Sequence, residues 1–298
     1  MRFFSSILLA MLSSAAIAAP SASLNASATL AASPFVLEGT QVRPIPSSIL
    51  KRDYEIFVSL PKSYGSSQKS YPVLFVTDAN YAFPLIRAIT QRISGHSSVL
   101  QEYILIGLSY AKGDTPTASR NRDYTPTHDA KDYPAGEYGQ AEQYRQFLLN
   151  EVFPFVAKNY RADMQRKVFS GHSYGGLFGM HVLFNSPEMF QAYILGSPSL
   201  WYDKRAIFAH ERAYAAKHKD LPAKVWLYTG EYETVRRGQP RYNQENDLVK
   251  DMQEMEKQLK ARKYPNLTVK AQVMQDEDHL TVFPSLITRG LKAALANK

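Results

Sequence analysis

The sequence has 298 residues, of which 45% are hydrophobic and 21% charged, and this balance excludes a disordered or fibrous chain. The formal net charge of +8 favours anionic partners, but the basic residues are spread along the chain without a DNA- or RNA-recognition motif, so we predict an anionic small molecule and no nucleic acid. The absence of cysteine excludes disulfides, thiolate catalysis and cysteine-ligated metals.

The first residues follow the plan of a secretory signal peptide. Arg2 supplies a positive start, residues 7–12 form an apolar stretch, and Ala16-Ile17-Ala18 offers an A-x-A cleavage site. The apolar stretch is short for a membrane anchor, because a helix that spans a bilayer needs about 20 residues. We therefore expect residues 1–18 to be removed as a signal peptide, with no stable membrane insertion of the rest.

The rest of the chain is predicted to be one domain behind a flexible leader. Residues 19–34 are rich in alanine and serine and form the predicted leader, and no composition break divides residues 35–298. A bacterial periplasm suits an exported chain without cysteines, and secretion beyond the cell is the alternative. Nothing in the sequence indicates an oligomeric state.

Predicted strands and helices alternate along this domain. Buried or half-buried strands are predicted at residues 53–60, 72–78, 103–110, 167–170, 191–196, 224–228 and 267–274. Helices are predicted at residues 81–94, 140–160 with a kink at Pro154, 177–184, 203–218, 248–259 and from the last loop to residue 297. This alternation is typical of α/β proteins, so we predict a mostly parallel central sheet with helices on both faces.

Residues 111–138 are predicted to form a loop that is too long for a simple connection in a compact domain. Loops of this length often carry function. This one contains Arg120-Asn121-Arg122-Asp123-Tyr124-Thr125-Pro126, in which two arginines lie close to an aromatic residue. Two interpretations of Arg120 and Arg122 stay open: contact with a substrate, or internal salt bridges that hold the loop.

The run Gly171-His172-Ser173-Tyr174-Gly175-Gly176 fits the G-x-S-x-G pattern of a nucleophile elbow. A predicted strand precedes it and an apolar helix follows it, which is the context that the motif requires. Glycines flank the serine because side chains there would collide with the neighbouring strand and helix. We therefore predict that Ser173 is a catalytic nucleophile rather than part of a structural glycine turn.

A serine nucleophile needs a base and a third group that orients the base. After an elbow of this kind the chain order is acid, then histidine. Only His279 stands in a loop after the last predicted strand, whereas the other histidines that follow the elbow fall in predicted helices, so His279 is the predicted base. Glu233 is the predicted acid, on the loop after strand 224–228, and Glu231 is the alternative.

The oxyanion that develops during acyl transfer needs preorganised N–H donors. By the general plan of the elbow, one is the backbone N–H of Tyr174, directly after the nucleophile. The second is expected from the loop at residues 78–81, where we choose the N–H of Asn80. Asp78 in the same loop is expected to cap the helix that follows.

Four motifs in register resemble the putative-esterase group of α/β-hydrolases over roughly residues 45–295. They are the elbow, the run from Arg120 to Pro126, Ser197-Pro198-Ser199-Leu200-Trp201 and Gly230-Glu231-Tyr232-Glu233. This group includes periplasmic and cytoplasmic esterases of tri-catecholate siderophores. The resemblance implies the α/β-hydrolase fold and a serine esterase that cleaves the ester bonds of a bulky ligand, without a metal or other cofactor of its own.

The predicted export and the positive charge agree with an anionic ferric catecholate trilactone as the substrate. Arg120, Arg122 and Trp201 are its expected contacts. The spacing leaves no room for a large cap domain, because only about two dozen residues separate Ser199 from Ala223, and an open mouth suits a wide substrate. The resemblance also leaves a Ser-His pair without an acid as an alternative.

Other functions stay open at this point. Within enzymes they are an acetyl or feruloyl esterase on plant polysaccharide and an acyltransferase that passes the acyl group to a sugar. In a different class, the chain could be a catalytically silent ligand-binding protein that has kept the fold. The simultaneous presence of a nucleophile, a base and a candidate acid argues against a silent protein.

Overall fold

The computed structural model describes residues 33–94, 99–129, 131–134 and 136–297. The predicted signal peptide and most of the predicted leader lie outside these residues. From Leu37 onward the chain forms one compact unit, and residues 33–36 have no regular secondary structure. Within the described ranges, no helix has both the length and the apolar character needed to cross a membrane.

The unit is built on one eight-stranded sheet with the order β1-β2-β4-β3-β5-β6-β7-β8. Its strands are β1 Thr40–Ser47, β2 Arg52–Ser59, β3 Tyr71–Val76, β4 Ile104–Leu108, β5 Ala162–His172, β6 Ala192–Gly196, β7 Lys224–Gly230 and β8 Thr268–Met274. The strands β1 and β2 are antiparallel to their neighbours, and the other six strands run parallel. The predicted mostly parallel sheet is confirmed.

Helices cover both faces of the sheet. They are α1 Ala79–Ser94, α2 Pro116–Tyr124, α3 Ala141–Phe147, α4 Phe153–Asn159, α5 Tyr174–Asn185, α6 Tyr202–Lys217, α7 Leu248–Ala261 and α8 Val282–Ala294. On β3, Leu74 and Val76 join the apolar cluster that contains α1 and α8, whereas Val73 and Phe75 join the cluster on the opposite face. Both faces of β3 are thus buried, which explains why its sequence is a continuous apolar run. The predicted α/β-hydrolase fold is confirmed.

The edge strand β1 has no counterpart among the predicted strands. It contains Pro44 and Pro46, and a proline has no N–H to give to a sheet. The structure accommodates both prolines because β1 is an outermost strand of the sheet and, among the described strands, pairs only with β2. The two prolines argue against a strand in the sequence, and a strand is possible here only because β1 lies at the edge of the sheet.

The long loop predicted at residues 111–138 contains the helix α2. Thr115 precedes this helix and accepts a hydrogen bond from the N–H of Ala118 through its side chain, and Pro116 occupies the first helical position. Threonine before a helix and proline at its start are standard helix-initiation signals. The run that holds Arg120 and Arg122 is therefore helical rather than irregular.

The helix predicted at residues 140–160 is divided into three parts. A π-helical turn, Leu148–Val152, joins α3 to α4. Pro154 lies at the start of α4 and cannot donate a hydrogen bond to the carbonyl of Asn150, which accounts for the break in the regular α-helical pattern. On the other side of the elbow, β6 ends at Gly196 and α6 begins at Tyr202, so the chain inserts no cap domain between them.

Candidate active site

Ser173 lies on a sharp turn between β5 and α5. Its φ of 59° is in the left-handed region that residues with side chains rarely adopt, and its N–H is held by a 2.9 Å hydrogen bond to the carbonyl of Gly196. A Cβ atom on Gly171 would lie 2.3 Å from the carbonyl oxygen of Gly175, and one on Gly175 would lie 2.3 Å from Oγ1 of Thr77. Only glycine fits at these two positions, and the turn presents Ser173 at the carboxyl edge of the sheet.

Glu233 and His279 meet at the same edge. Nδ1 of His279 lies 2.6 Å from Oε2 of Glu233, and the carboxylate is 2% exposed. The other carboxylate oxygen, Oε1, accepts hydrogen bonds from Oγ of Ser197 at 2.5 Å and from the N–H of Gly230 at 2.8 Å. Both oxygens of this buried carboxylate therefore have hydrogen-bond donors, which offset the cost of removing it from water.

The loop that carries His279 packs closely on the end of β7. A Cβ atom on Gly230 would lie 2.4 Å from the carbonyl oxygen of Glu277, so glycine is required where the two loops cross. Asp278 then accepts hydrogen bonds from the N–H groups of Leu280 and Thr281 and fixes the start of α8. These contacts hold the histidine loop against the loop of the acid.

Glu231, the alternative acid, occupies a different place. Its carboxylate accepts a 3.2 Å hydrogen bond from the N–H of Asp276 and is only partly buried. The structure thus brings Glu233 rather than Glu231 to the imidazole of His279.

The two predicted oxyanion donors are backbone N–H groups at helix starts. Tyr174 begins α5 after β5, and Asn80 lies in the first turn of α1 after β3, the strand that neighbours β5. Neither N–H has a hydrogen-bond acceptor within the described part of the chain. N–H groups in the first turn of a helix have no partner inside the helix, so both are free to bind a negative oxygen.

Asp78 precedes α1, but within the described residues its carboxylate accepts from Arg120, Tyr110 and the hydroxyl of Tyr81 and does not cap the helix N–H groups as expected. It is fully buried with a φ of 57°, and its Oδ1 accepts hydrogen bonds from Nε of Arg120 at 2.7 Å and from the hydroxyl of Tyr110 at 2.8 Å. The carbonyl of Asp78 accepts the N–H groups of Tyr81 and Ala82. The ion pair between Asp78 and Arg120 therefore fixes the loop that holds the second predicted oxyanion donor.

The structure places Arg120 in an internal ion pair, as one of the two interpretations expected, and leaves part of its side chain exposed. Its side chain is 24% exposed, pairs with Asp78 and lies 5.8 Å from the ring centre of Tyr174, next to the nucleophile. A second nitrogen, Nη2, donates a 3.4 Å hydrogen bond to the carbonyl of His172. Arg120 is a structural ion-pair partner that still reaches the surface beside Ser173.

Arg122 does not fit the expected contact with a substrate. Its side chain is 4% exposed, and its guanidinium donates to the carboxylates of Asp123 and Asp114 and to the hydroxyl of Tyr54. Helical geometry explains the difference, because residues two apart on α2 point in different directions. The structure therefore assigns Arg122 to the internal salt bridges and removes it from the substrate contacts.

Trp201 forms part of an aromatic wall beside the elbow. Its partly buried ring lies 6.2 Å from the ring of Tyr174, which in turn makes an edge contact of 5.6 Å with Tyr202. Tyr133 continues the wall at 4.5 Å from Tyr202. Burial raises the pKa of Tyr174 to about 12, so its hydroxyl remains a neutral donor at physiological pH. Flat aromatic faces next to Arg120 suit an aryl group.

His172 is buried next to the site, and the elbow motif that contains it assigns it no role. Its ring centre lies 4.6 Å from that of His279, and its Nε2 has no hydrogen-bond partner among the described residues. Burial, reinforced by His279 and Arg120, holds the pKa of His172 well below its ordinary value, so this ring is neutral at pH 7. The contact also places the ring of His279 next to the residue that precedes Ser173.

A basic segment follows Glu233 and lies outside the four motifs that carry the family resemblance. Its three arginines are exposed: Arg236, Arg237 and Arg241. Arg241 lies 3.8 Å from the ring centre of Tyr232, and the hydroxyl of Tyr232 donates a 2.6 Å hydrogen bond to Asp276 on the histidine loop. Three arginines within six residues directly after Gly230-Glu231-Tyr232-Glu233 were the available signal.

Metal ligands are not assembled in this region. Within residues 33–94, 99–129, 131–134 and 136–297, no group of three or more histidine, aspartate or glutamate side chains is placed to hold a metal ion. The chemistry that the site can perform with its own groups is proton transfer by His279, attack by Ser173 and stabilisation of an oxyanion by backbone N–H groups.

Several known proteins are similar to this chain in sequence or in structure. The family model described as "Putative esterase" matches residues 47–275. Ferri-bacillibactin esterase of Bacillus subtilis is 30% identical over 273 residues, which cover 88% of this chain and 91% of that protein. The crystal structure of the BES protein from Bacillus cereus has a TM-score of 0.75 and 25% identity, over 90% of this chain and 98% of that one.

The siderophore hydrolase EstB from Aspergillus nidulans is similar to the same extent, with a TM-score of 0.76 and 25% identity over 89% of this chain and 97% of that one. The family model spans well over half of the sequence. Together with the sheet order and the elbow, this match means that the chain belongs to the Putative esterase family and is an esterase with the α/β-hydrolase fold.

Proposed function

We propose that the protein is an exported serine esterase that hydrolyses carboxylic esters through an acyl-enzyme on Ser173. One observation carries this proposal: the 2.6 Å contact between His279 and Glu233 lies at the sheet edge where the elbow presents Ser173. The buried carboxylate fixes the tautomer of His279 with the proton on Nδ1, which leaves Nε2 as the base. This arrangement favours a three-residue site over a Ser-His pair.

The reaction follows from these positions. Nε2 of His279 takes the proton from Oγ of Ser173, and Oγ attacks the ester carbonyl carbon. The carbonyl oxygen becomes an oxyanion that accepts hydrogen bonds from the N–H groups of Tyr174 and Asn80. His279 then gives its proton to the leaving alcohol, and the acyl-enzyme forms. Water, activated by the same imidazole, releases the acid and restores Ser173.

A catecholate siderophore trilactone is the proposed substrate. Several similar proteins are named for siderophores, among them the esterases of Bacillus subtilis and Aspergillus. The net charge of +8 and the exposed basic segment favour a bulky anion. The wall formed by Tyr174 and Trp201 beside Arg120 can take a catechol ring. The absence of a cap between β6 and α6 leaves space for a wide ligand.

We place this reaction in the periplasm, because the chain starts with the predicted signal peptide at residues 1–18 and has no cysteine. The proposal includes no cofactor of the protein's own. Any iron belongs to the substrate, as the ion held by the siderophore.

Product analysis tests the substrate. The purified protein is incubated with the ferric and iron-free forms of a tri-catecholate trilactone and, in parallel, with feruloylated arabinose. We expect opening of the trilactone into linear catecholate esters, with much slower release of ferulate. Faster release of ferulate, or transfer of the acyl group to the sugar instead of water, would reject the siderophore and favour a carbohydrate esterase or an acyltransferase.

A further inference from the structure

The segment Ser197-Pro198-Ser199 lies between the nucleophile and the acid. It follows β6 directly, and both serine side chains are buried, with exposures of 0% and 1%. Oγ of Ser197 donates a 2.5 Å hydrogen bond to Oε1 of Glu233. Oγ of Ser199 lies 3.4 Å from Oγ of Ser173. One short segment therefore places a hydroxyl against each end of the proposed proton-transfer path.

The backbone of this segment is held from two sides. Ser197 has a φ of 39°, in the left-handed region, and its N–H donates a 2.6 Å hydrogen bond to the carbonyl of Tyr228 at the end of β7. The N–H of Ser199 donates a 3.2 Å hydrogen bond to the carbonyl of Ser173. A strained residue persists only where its surroundings hold it, and such strain is concentrated at functional sites.

Pro198 closes the contact with the elbow. A Cβ atom on Gly176 would lie 3.0 Å from Cα of Pro198, so the segment packs directly on the first turn of α5. Proline also has a fixed φ, which limits the movement of the residues on either side. Residues 197–199 thus form a bridge that is hydrogen-bonded to β7 and to the elbow after β5. The ends of these two strands carry the proposed acid and the proposed nucleophile.

In the part of the chain that the structure describes, neither hydroxyl has a second hydrogen-bond partner. Within the described residues, the only side-chain contact of Oγ of Ser199 is Oγ of Ser173, and the only one of Oγ of Ser197 is Glu233. Burying a hydroxyl costs free energy unless a hydrogen bond offsets that cost. In this segment, the groups that can offset this cost are Glu233 and Ser173, the predicted acid and the predicted nucleophile.

We propose that Ser197 and Ser199 are positioning residues of the catalytic site, an inference that rests on the proposed serine mechanism. Ser197 holds the carboxylate of Glu233 so that Oε2 faces His279. Ser199 holds Oγ of Ser173 on the side of the base and donates a hydrogen bond to this oxygen as its proton leaves for His279. The bridge thereby fixes the nucleophile and the acid relative to each other.

The test compares Ser199→Ala with Ser170→Ala in hydrolysis of p-nitrophenyl butyrate. Ser170 is a matched control, since it is fully buried on β5 and its Oγ has no hydrogen-bond partner in the described chain. We expect Ser199→Ala to lower kcat about tenfold while KM changes less than about twofold, as for the loss of one hydrogen bond made in the transition state. Ser170→Ala should retain wild-type kcat.

Ser197 needs two variants, because its backbone is strained and its hydroxyl also donates a hydrogen bond to Glu233. Ser197→Ala removes the hydroxyl and keeps the strain, whereas Ser197→Gly removes the hydroxyl and relieves the strain. We expect both to lower kcat by about tenfold or more. Both should also lose activity at a higher pH than the wild type on the acid side of the kcat/KM profile, because an uncompensated Glu233 favours the protonated, inactive imidazole of His279. Ser199→Ala should leave this midpoint unchanged.

The following results would overturn the inference: kcat of Ser199→Ala within twofold of the control, a change confined to KM, or wild-type activity in Ser197→Gly. Circular dichroism verifies folding of each variant. If Ser199→Ala does not fold, Ser199→Cys carries the test, since a thiol is a weaker donor in nearly the same place. Ser173→Ala in the same assay separates the two proposals, because retained activity there rejects the serine mechanism itself.

Discussion

Nδ1 of His279 donates a 2.6 Å hydrogen bond to Oε2 of Glu233, which is 2% exposed. The histidine comes from the loop after β8 and the glutamate from the turn after β7, and Gly230 allows the two loops to cross at close range. Ser197 from the end of β6 completes the ring of donors around the carboxylate. Three consecutive strand ends of the parallel sheet therefore bring together the predicted acid, the predicted base and Ser197.

Replacement of Glu233 tests the assignment of the acid. Glu233→Gln removes the negative charge that stabilises the protonated His279 and can present an N–H₂ group to Nδ1, which disfavours the required tautomer. We expect kcat to fall about 10²- to 10⁴-fold. Glu231→Gln is the matched control and should stay near wild type, because among the described residues the side chain of Glu231 has a hydrogen bond only with the N–H of Asp276. The reverse order of these two activities would reassign the acid.

Arg122 is expected to act on stability rather than on substrate binding. Arg122→Met leaves the buried carboxylate of Asp123 without its ionic partner, so the free energy of unfolding should fall by about 3 kcal/mol. The exposed Arg237 is the control, and Arg237→Met should change it by less than about 0.5 kcal/mol. Urea unfolding measures both. A KM for the siderophore that rises in Arg122→Met at unchanged stability would restore the substrate contact.

The buried His172 makes stability depend on pH. Its native pKa is lowered by burial, so below about pH 6.5 the unfolded chain takes up a proton that the native ring does not. The contribution of neutral His172 to the stability of the native state is therefore complete above this pH. It is lost as the pH falls towards the native pKa of His172. From pH 7.5 to 5.5, the wild type should lose about 1 kcal/mol more unfolding free energy than His172→Gln. Equal losses in urea titrations of the two proteins would contradict this assignment.

The basic segment is expected to select anionic esters. Replacing both Arg236 and Arg241 with alanine should raise KM for a ferric catecholate trilactone about 5- to 10-fold at low salt, with a smaller effect at high salt. KM for the neutral p-nitrophenyl butyrate should not change. The control removes two exposed charges elsewhere, in Arg212→Ala/Lys217→Ala on α6. A similar rise of KM in the control would show a general effect of net charge.

The sequence was sufficient for those features that a local pattern encodes. Glycine is required at positions 171 and 175, because an added Cβ atom would lie only 2.3 Å from a neighbouring atom. The motif itself therefore predicts the elbow. Placement of His279 and Glu233 followed from the order of elements along the chain. The continuous apolar run of β3 predicted a strand buried on both faces because each face packs against its own layer of helices.

Other features depend on tertiary context that no local pattern carries. Pro44 and Pro46 are compatible with a strand only at the edge of the sheet, and an edge is a property of the assembled fold. Arg120 and Arg122 are the same residue type two positions apart. The helical geometry of α2 directs Arg120 to the elbow and Arg122 into the core, and this difference is not visible in the sequence. The contacts of Ser197 with Glu233 and of Ser199 with Ser173 form only when β5, β6 and β7 lie side by side in the sheet.

The central claim is that ester hydrolysis proceeds through Ser173. Its most direct test is the steady-state hydrolysis of p-nitrophenyl butyrate by the wild type and by Ser173→Ala, with equal folding of both verified by urea unfolding. We predict that kcat/KM of the variant is lower by about 10⁴-fold or more, as when a catalytic serine is removed from a complete site. Turnover by Ser173→Ala at a rate comparable with the wild type would contradict the account.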